Sequence, residues 1–199
     1  MNAKDLLNNS TVVAFIPSEA LAVAVETGAV TDLKGMGRKI LMTINAGTPA
    51  TGGLADIIVQ EDNDPNMAIA GTETIDGAIT ATQRTLSLHS GEGANCPQYD
   101  FDLLIDSEIV TVTERVGDLC YIKRGQYGTT AASHANDAAV TYSIRTLHTF
   151  AQISAASLVE ADLAPKRRYV RVVATVTVEV FTLGVTGIIY LEREIPSGI

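Results

Sequence analysis

The run Lys166-Arg167-Arg168-Tyr169-Val170-Arg171-Val172-Val173-Ala174-Thr175-Val176-Thr177-Val178-Glu179-Val180-Phe181 decides the fold of this chain. From Tyr169 to Phe181 it is almost wholly β-branched or aromatic, and polar side chains alternate with valine and alanine. This pattern predicts one long strand with a buried face and a polar face. A second run, Ile188 to Glu194, follows Gly184 and Gly187, so the sequence predicts two long strands joined by a glycine-containing turn.

Upstream segments supply the strands that such a sheet needs as partners. Apolar and β-branched runs bounded by turn residues occur over Thr11–Ile16, Arg38–Gly47 and Leu54–Glu61. No convincing helical pattern separates them, which favours a sandwich or barrel over alternating strands and helices. The chain is therefore predicted to be all-β.

Four local features are harder to assign. Pro17 is expected to stop the first strand, and the segment Ser18–Thr27 fits either a helix or a strand, with strand favoured by the sheet-like surroundings. A short helix is predicted over Ala3–Leu7, and a short helical turn over Ala155–Pro165.

The middle of the chain has a different character. Three short strands, Asp100–Ile105, Glu108–Glu114 and Leu119–Arg124, are joined by tight turns and predict a compact meander. One more strand is expected over Ala138–Ser143. We therefore predict an inserted small β domain, residues 77–145, within a discontinuous outer β-sandwich made of residues 1–76 and 146–199, since the ends of an inserted module usually lie close together.

Composition restricts the function. The 199 residues are 46% hydrophobic and carry a net charge of −9, which argues against binding DNA or RNA because that affinity depends on clustered Lys and Arg. The one basic cluster, Lys166-Arg167-Arg168, fits a solvated strand start that protects a sheet edge. No run approaches the roughly 18 apolar residues that span a bilayer, and no signal peptide is recognised, so we expect no membrane association. Cys96 and Cys120 fit free thiols better than a disulfide scaffold.

The sharpest local signature combines Glu108 with a turn and a histidine. It runs from Asp106-Ser107-Glu108 to Arg124-Gly125-Gln126-Tyr127-Gly128-Thr129-Thr130 and then His134. Asp106, Glu108 and His134 could form an acid/base or metal group, but neither a third orienting group nor coherent ligand spacing is visible. The structural interpretation is that Gly125 and Gly128 give the turn its backbone freedom, while Arg124 and Tyr127 hold it against Glu108.

Other motifs point to no chemistry. His89 and His148 have no local partners, and the serines lack a nucleophile-elbow setting. There is no phosphate loop or dinucleotide fingerprint. Asp62-Asn63-Asp64 lacks the glycine and distal glutamate of a calcium loop and is predicted to be a turn. We therefore expect no cofactor, no metal and no catalytic residue.

The signature around Glu108 resembles a small β module that recurs in tail, baseplate and other virion proteins of tailed bacteriophages. In that module a strand bearing Glu is followed by an Arg-Gly-x-x-Gly-Thr turn and a downstream His, which here are Glu108, Arg124 to Thr129, and His134. The resemblance covers about a third of the chain.

Three further stretches resemble phage head decoration, or cement, proteins with a jelly-roll-like sandwich. They are Gly37–Gly47, Ala55–Glu61 and Lys166–Arg171. This resemblance implies a non-catalytic protein that binds the major capsid protein across subunit boundaries, often as a homotrimer. It places the protein on the virion surface, and in the host cytoplasm during assembly.

Two other functions remain open from the sequence. A tail, baseplate or head-fibre protein could use the insert to attach to a host glycan or protein. An enzyme such as a glycan hydrolase could use Asp102, Asp106 or Glu108, although a retaining pair must face across a cleft.

Overall fold

The computed structural model describes residues 10–22, 24–36, 39–49, 52–67 and 73–190. The helix predicted over Ala3–Leu7 lies outside these residues. The chain divides into two compact units, the first comprising the described residues up to Glu61 and from Thr146 onward, and the second comprising Asp62–Arg145. The second unit starts at Asp62, so the described residues 62–67 and 73–76, which the sequence assigned to the outer domain, belong to the second unit.

The described residues form fifteen strands and one short 3-10 helix, Glu92–Asn95. The strands are β1 (Ser10–Leu21), β2 (Val25–Thr27), β3 (Thr31–Asp32), β4 (Lys39–Ala46), β5 (Leu54–Asp62), β6 (Glu73–Thr74), β7 (Thr85–Ser87), β8 (Phe101–Ile105), β9 (Glu108–Val116), β10 (Leu119–Lys123), β11 (Ala139–Tyr142), β12 (Arg145–Thr149), β13 (Ser157–Leu163), β14 (Tyr169–Thr177) and β15 (Phe181–Tyr190). None of the described residues belongs to a helix with the length and hydropathy needed to cross a bilayer. The predicted all-β class is confirmed.

The first unit contains two sheets that share one apolar core. One sheet has the strand order β1-β15-β4-β13, and the other has the order β12-β5-β14-β2, with β3 also paired to β14. Alternate residues of β4 and β14, such as Ile44 and Val172, are fully buried because a strand turns every second side chain to the same face. The predicted sandwich is therefore confirmed.

The long strand predicted over residues 169–181 ends earlier than expected. β14 stops at Thr177, and the chain passes through Val178, whose φ is 78°, before β15 begins at Phe181. Because β14 and β15 belong to different sheets, the hairpin predicted through Gly184 and Gly187 is wrong. Both glycines lie inside β15.

Two other local predictions are corrected by tertiary structure. Pro17 does not stop β1, which continues to Leu21, because β1 is an edge strand with irregular pairing between Ile16 and Glu19. An edge or a bulge is where a strand tolerates a missing N–H. The helical turn predicted over Ala155–Pro165 is wrong as well, since β13 occupies these residues and pairs with β4.

The second unit is one six-stranded sheet in the order β6-β11-β8-β9-β10-β7. Its centre is the antiparallel meander β8-β9-β10, at the positions that the sequence predicted. A separate apolar core forms on one face, with Phe101, Leu103, Val110 and Cys120 fully buried. This sheet positions the Glu108 signature.

The two cysteines lie in the core of the second unit and are not joined. Both thiols are free and buried. Burial raises the pKa of Cys96 to about 11 and that of Cys120 to about 12. Because the thiolate is the nucleophile, both side chains are shielded and unreactive in the folded unit.

We expect the native protein at pH 8 to leave both thiols unmodified by a disulfide-exchange reagent. After unfolding in denaturant, two thiols per chain should react, and spectrophotometric titration of the released chromophore measures both values. Rapid labelling of either cysteine in native buffer would contradict the buried positions.

Candidate functional site

Glu108 lies at the first position of β9, immediately after the tight turn that follows β8. It pairs with Ile105 and points to the core face of the sheet, where its side chain has no exposure to solvent. Asp106 occupies the turn with φ of 52°, a left-handed conformation that aspartate tolerates. The sequence Ile105-Asp106-Ser107-Glu108 therefore places one carboxylate in the turn and the other in the interior.

Arg124 and Glu108 form a bidentate salt bridge. Its Nε donates to Oε1 at 2.8 Å and its Nη2 donates to Oε2 at 2.7 Å. The Arg124 side chain is 2% exposed, so the pair is desolvated on both sides. Parallel N–H donors that match a carboxylate make this the strongest and most directional type of ion pair.

The remaining donors of Arg124 and the remaining lone pairs of Glu108 are also used. Arg124 Nη1 donates to the carbonyl of Thr80 at 2.6 Å, and Nη2 donates to the carbonyl of Ala132. Glu108 accepts the backbone N–H groups of Gly125, at 2.8 Å, and Ala132, at 3.0 Å. The pair thus joins three chain segments that are far apart in sequence.

His134 completes the cluster by bridging two carboxylates. Its Nε2 lies 2.9 Å from Oε2 of Glu108, and its Nδ1 lies 2.7 Å from Oδ2 of Asp106. The imidazole is 1% exposed, whereas Asp106 is 64% exposed. Only the doubly protonated ring can donate to both carboxylates at once, because a neutral imidazole carries one N–H.

The turn after Arg124 uses the backbone freedom that the sequence indicated. Gly125, Tyr127 and Gly128 all have positive φ, at 58°, 53° and 83°. Thr129 fixes the turn from inside, because its hydroxyl accepts the Ile109 N–H at 3.0 Å and donates to the Gln126 carbonyl at 2.7 Å. The backbone of the turn is therefore held against the start of β9.

Of the six predicted site residues, the structure brings Glu108, Arg124, Gly125 and His134 together. Gly128 lies at the outer end of the same turn. Tyr127 does not contact Glu108; its half-exposed ring lies beneath the guanidinium of Arg145, 5.1 Å from the ring centroid. The sequence interpretation missed Thr80 and Ala132. They contribute backbone groups, a carbonyl from each and an N–H from Ala132, which any residue type could supply.

Opposing effects set the protonation of Glu108. Burial alone would raise its pKa, but hydrogen bonds from Arg124, the Ala132 N–H, His134 and the Gly125 N–H together outweigh burial and lower the pKa from 4.5 to about 2. The carboxylate therefore stays ionised through the neutral and mildly acidic range, as a structural anion and not as a proton donor.

This lowered pKa predicts an acid-sensitive second unit. A group whose pKa is lower in the folded state contributes its full stability above its unfolded pKa, and the contribution is lost as pH falls from about 4.5 towards 2. We expect the melting temperature of the second unit to fall through this window in calorimetry.

The control for the acid prediction is Glu108→Gln, which keeps the shape of the side chain and removes its titration. The variant should be less stable at pH 7 and less dependent on pH between 5 and 2. An unchanged pH slope in the variant would assign the acid sensitivity to other carboxylates, such as Asp118, whose pKa is lowered by the N–H groups of Gly91 and Gly93.

The carboxylates considered for hydrolysis do not face one another across a cleft. Asp102 and Ile105 are three residues apart on β8 and so lie on opposite faces of the sheet, and Glu108 shares the face of Ile105. Asp102 accepts a hydrogen bond from the Thr111 hydroxyl at 2.5 Å. Among the described residues, no group of three or more His, Cys, Asp or Glu side chains is arranged to hold a metal ion.

The other sequence motifs have structural roles. Asp62 caps its own turn by accepting the N–H groups of Asn63 and Asp64. His89 has a partner remote in sequence, Asp137, at 2.8 Å. His148 packs edge-on against the ring of Phe150.

In the basic cluster Lys166-Arg167-Arg168, which leads into β14, Arg168 forms an ion pair at the surface. Arg168 forms a two-point ion pair with Asp32, at 2.8 and 2.6 Å, and its guanidinium lies over the ring of Tyr169. The hydrogen bond from Arg168 is the main cause that lowers the pKa of Asp32 to about 2. These contacts connect β14 to β3 at the surface.

Comparison with known proteins adds no assignment. No family model matches the chain, and no curated protein matches it.

Proposed function

We propose that this protein is a non-catalytic virion component of a tailed bacteriophage that decorates the head by binding the major capsid protein. The observation that carries the proposal is the closed Glu108 cluster, in a segment that resembles the phage virion module described above. Glu108, Arg124 and His134 bond to one another and to backbone groups, and their side chains are at most 2% exposed. They are suited to holding a fold together and not to receiving a substrate.

The division of the chain into two units supports a decoration role. The first unit combines the described residues up to Glu61 with those from Thr146 onward, and the second comprises the described residues between them. Two separately packed units allow one of them to bind the capsid protein while the other keeps a separate role. The resemblance to decoration proteins also implies a homotrimer, which stays a prediction.

One observation favours attachment to a host as a second candidate function. The second unit exposes three tyrosine side chains, Tyr99, Tyr121 and Tyr127, at 51%, 43% and 50%. Tyrosine is enriched at binding surfaces because it offers a large apolar ring with a polar end. A tail, baseplate or head-fibre protein would use the second unit in this way.

Cryo-electron microscopy of particles assembled with and without this chain tests the proposal. Density at regular positions over the shell, absent from particles that lack the chain, is the expected result. Density confined to a vertex or the tail would replace the decoration role with host attachment. Absence of the chain from purified particles would overturn both.

A further inference from the structure

The two edges of the β1-β15-β4-β13 sheet differ in how they are protected against pairing with a further strand. β1 contains Pro17, and its pairing with β15 is irregular on both sides of Ile16. Both features blunt an edge strand. β13, at the opposite edge, pairs with β4 through seven consecutive residues without a shift in register. Because its sequence contains no proline, glycine or lysine, β13 is the less protected edge.

The backbone of β13 is able to accept one more strand. Alternate residues of an edge strand turn their N–H and C=O groups away from the neighbouring strand. In the part of the chain that the structure describes, no backbone hydrogen bond outside the ladder with β4 involves Ser157–Leu163. An extended peptide that adds to such an edge obtains its affinity from main-chain hydrogen bonds, and its side chains determine specificity.

The outward side chains of β13 define what the added strand must carry. Val159 and Ala161 pack against the core of the first unit, whereas Leu158, Glu160 and Asp162 point outward and are exposed. Their three neighbours on β4 are uncharged. Neither carboxylate forms an ion pair with another described residue. The edge therefore presents one apolar and two negative positions at alternate residues.

We propose that β13 binds an extended protein segment that carries basic side chains at alternate positions. Residues directly opposite each other in an antiparallel pair lie on the same face of the sheet, so the basic side chains would meet Glu160 and Asp162. An apolar side chain would meet Leu158, which is 66% exposed. The inference rests on this edge alone and is independent of the virion assignment.

Charge also argues against a second copy of β13 as the added strand. Antiparallel pairing centred on Glu160 sets that carboxylate opposite its own copy, and like charges directly opposite each other are destabilising. Each chain carries a net charge of −9, so two copies repel each other over longer distances as well. A basic segment removes both penalties.

Fluorescence anisotropy with the full-length protein tests the inference. The probe is a labelled synthetic peptide, Thr-Lys-Val-Lys-Val-Leu-Thr, whose antiparallel register places its lysines opposite Asp162 and Glu160. We expect saturable binding of this lysine peptide. The glutamate peptide, in which both lysines are replaced by glutamate, should not bind.

Two further peptides test whether the contact is a strand ladder. They carry N-methyl groups on alternate backbone nitrogens of the lysine peptide, one at the odd positions and one at the even positions. Only one of these sets faces β13 in an antiparallel pair. We therefore expect one methylated peptide to lose binding and the other to keep it.

Charge reversal on β13 provides the matched change in the protein. Glu160→Lys/Asp162→Lys should bind the lysine peptide at least about tenfold more weakly and should bind the glutamate peptide instead. The control is Glu26→Lys/Glu114→Lys, which reverses two exposed carboxylates on β2 and β9 and changes the net charge by the same amount. This control should retain binding of the lysine peptide.

Several outcomes would overturn the inference. The wild type might show no saturable binding of the lysine peptide, or equal affinity for the lysine and glutamate peptides, and either result would mean that the edge selects no basic strand. Equal affinity for the two methylated peptides would exclude a strand ladder. Dimerisation of the wild type in analytical ultracentrifugation, altered in Glu160→Lys/Asp162→Lys and without binding of the lysine peptide, would assign the edge to a second copy.

Discussion

Replacing Arg124 by methionine is expected to destabilise the second unit by about 3–5 kcal/mol, the usual cost of leaving a buried charge without its partner. Glu108 would keep two backbone N–H donors and His134, but it would lose the two-point pair that neutralises it. The carbonyls of Thr80 and Ala132 would lose their donors as well. The loss is therefore larger than for an exposed ion pair.

The modification rate of the buried thiols measures the stability of this unit alone. Cys96 and Cys120 both belong to its core, so their modification rate reports how often the unit opens. We expect Arg124→Met to raise that rate more than about a hundredfold, as 3 kcal/mol implies. Arg84→Ala, which removes an exposed arginine of the same unit, should leave the rate nearly unchanged.

The double variant Glu108→Gln/Arg124→Met separates charge from packing. A buried amide costs less than a buried carboxylate, so the double variant should open less often than Arg124→Met alone. If both variants label at the same rate, the unpaired charge is not the cause of the instability. If Arg124→Met labels at the wild-type rate, the ion pair does not hold the unit closed.

The sequence was most informative where structure depends on neighbours along the chain. The meander β8-β9-β10 was predicted because its strands are joined by short turns, and the positive φ of Gly125 and Gly128 follows from the turn chemistry. The sequence interpretation that Arg124 holds the turn against Glu108 agrees with the ion pair, whereas the same role expected for Tyr127 does not. The backbone partners at Thr80 and Ala132 were not predicted, because a carbonyl or an N–H can come from almost any residue.

The sequence was least informative about which sheet a strand joins. Alternation shows that β14 and β15 are strands, but two consecutive strands in one sheet and two in facing sheets have the same pattern. Glycine is ambiguous in a similar way, since it marks either a turn or a close approach between chains. Gly187 was assigned to a turn, whereas it lies within β15 and against a buried ring.

Replacing Gly187 by valine is the second large effect that we expect, a destabilisation of the first unit by about 3 kcal/mol. A Cβ at this position would lie 2.6 Å from Cε2 of Phe15 and 3.1 Å from Cγ2 of Ile40. Phe15 is 1% exposed and Ile40 is 1% exposed, so neither side chain can move aside into solvent. Overpacking a filled core typically costs 1–3 kcal/mol, and valine adds two further methyl groups.

Thr186→Val is the matched control, because it introduces the same side chain at the preceding position of β15, on the outward face. It should change stability by less than about 0.5 kcal/mol. Urea unfolding, monitored by hydrogen exchange of the β4 and β15 amides, measures the effect in the first unit.

Adding Phe15→Leu to Gly187→Val should recover part of the lost stability, since the smaller side chain makes room for the new methyl groups. Equal effects of valine at positions 186 and 187 would mean that Phe15 does not require a glycine beneath its ring, and the reason for a glycine within β15 would have to be sought in the backbone.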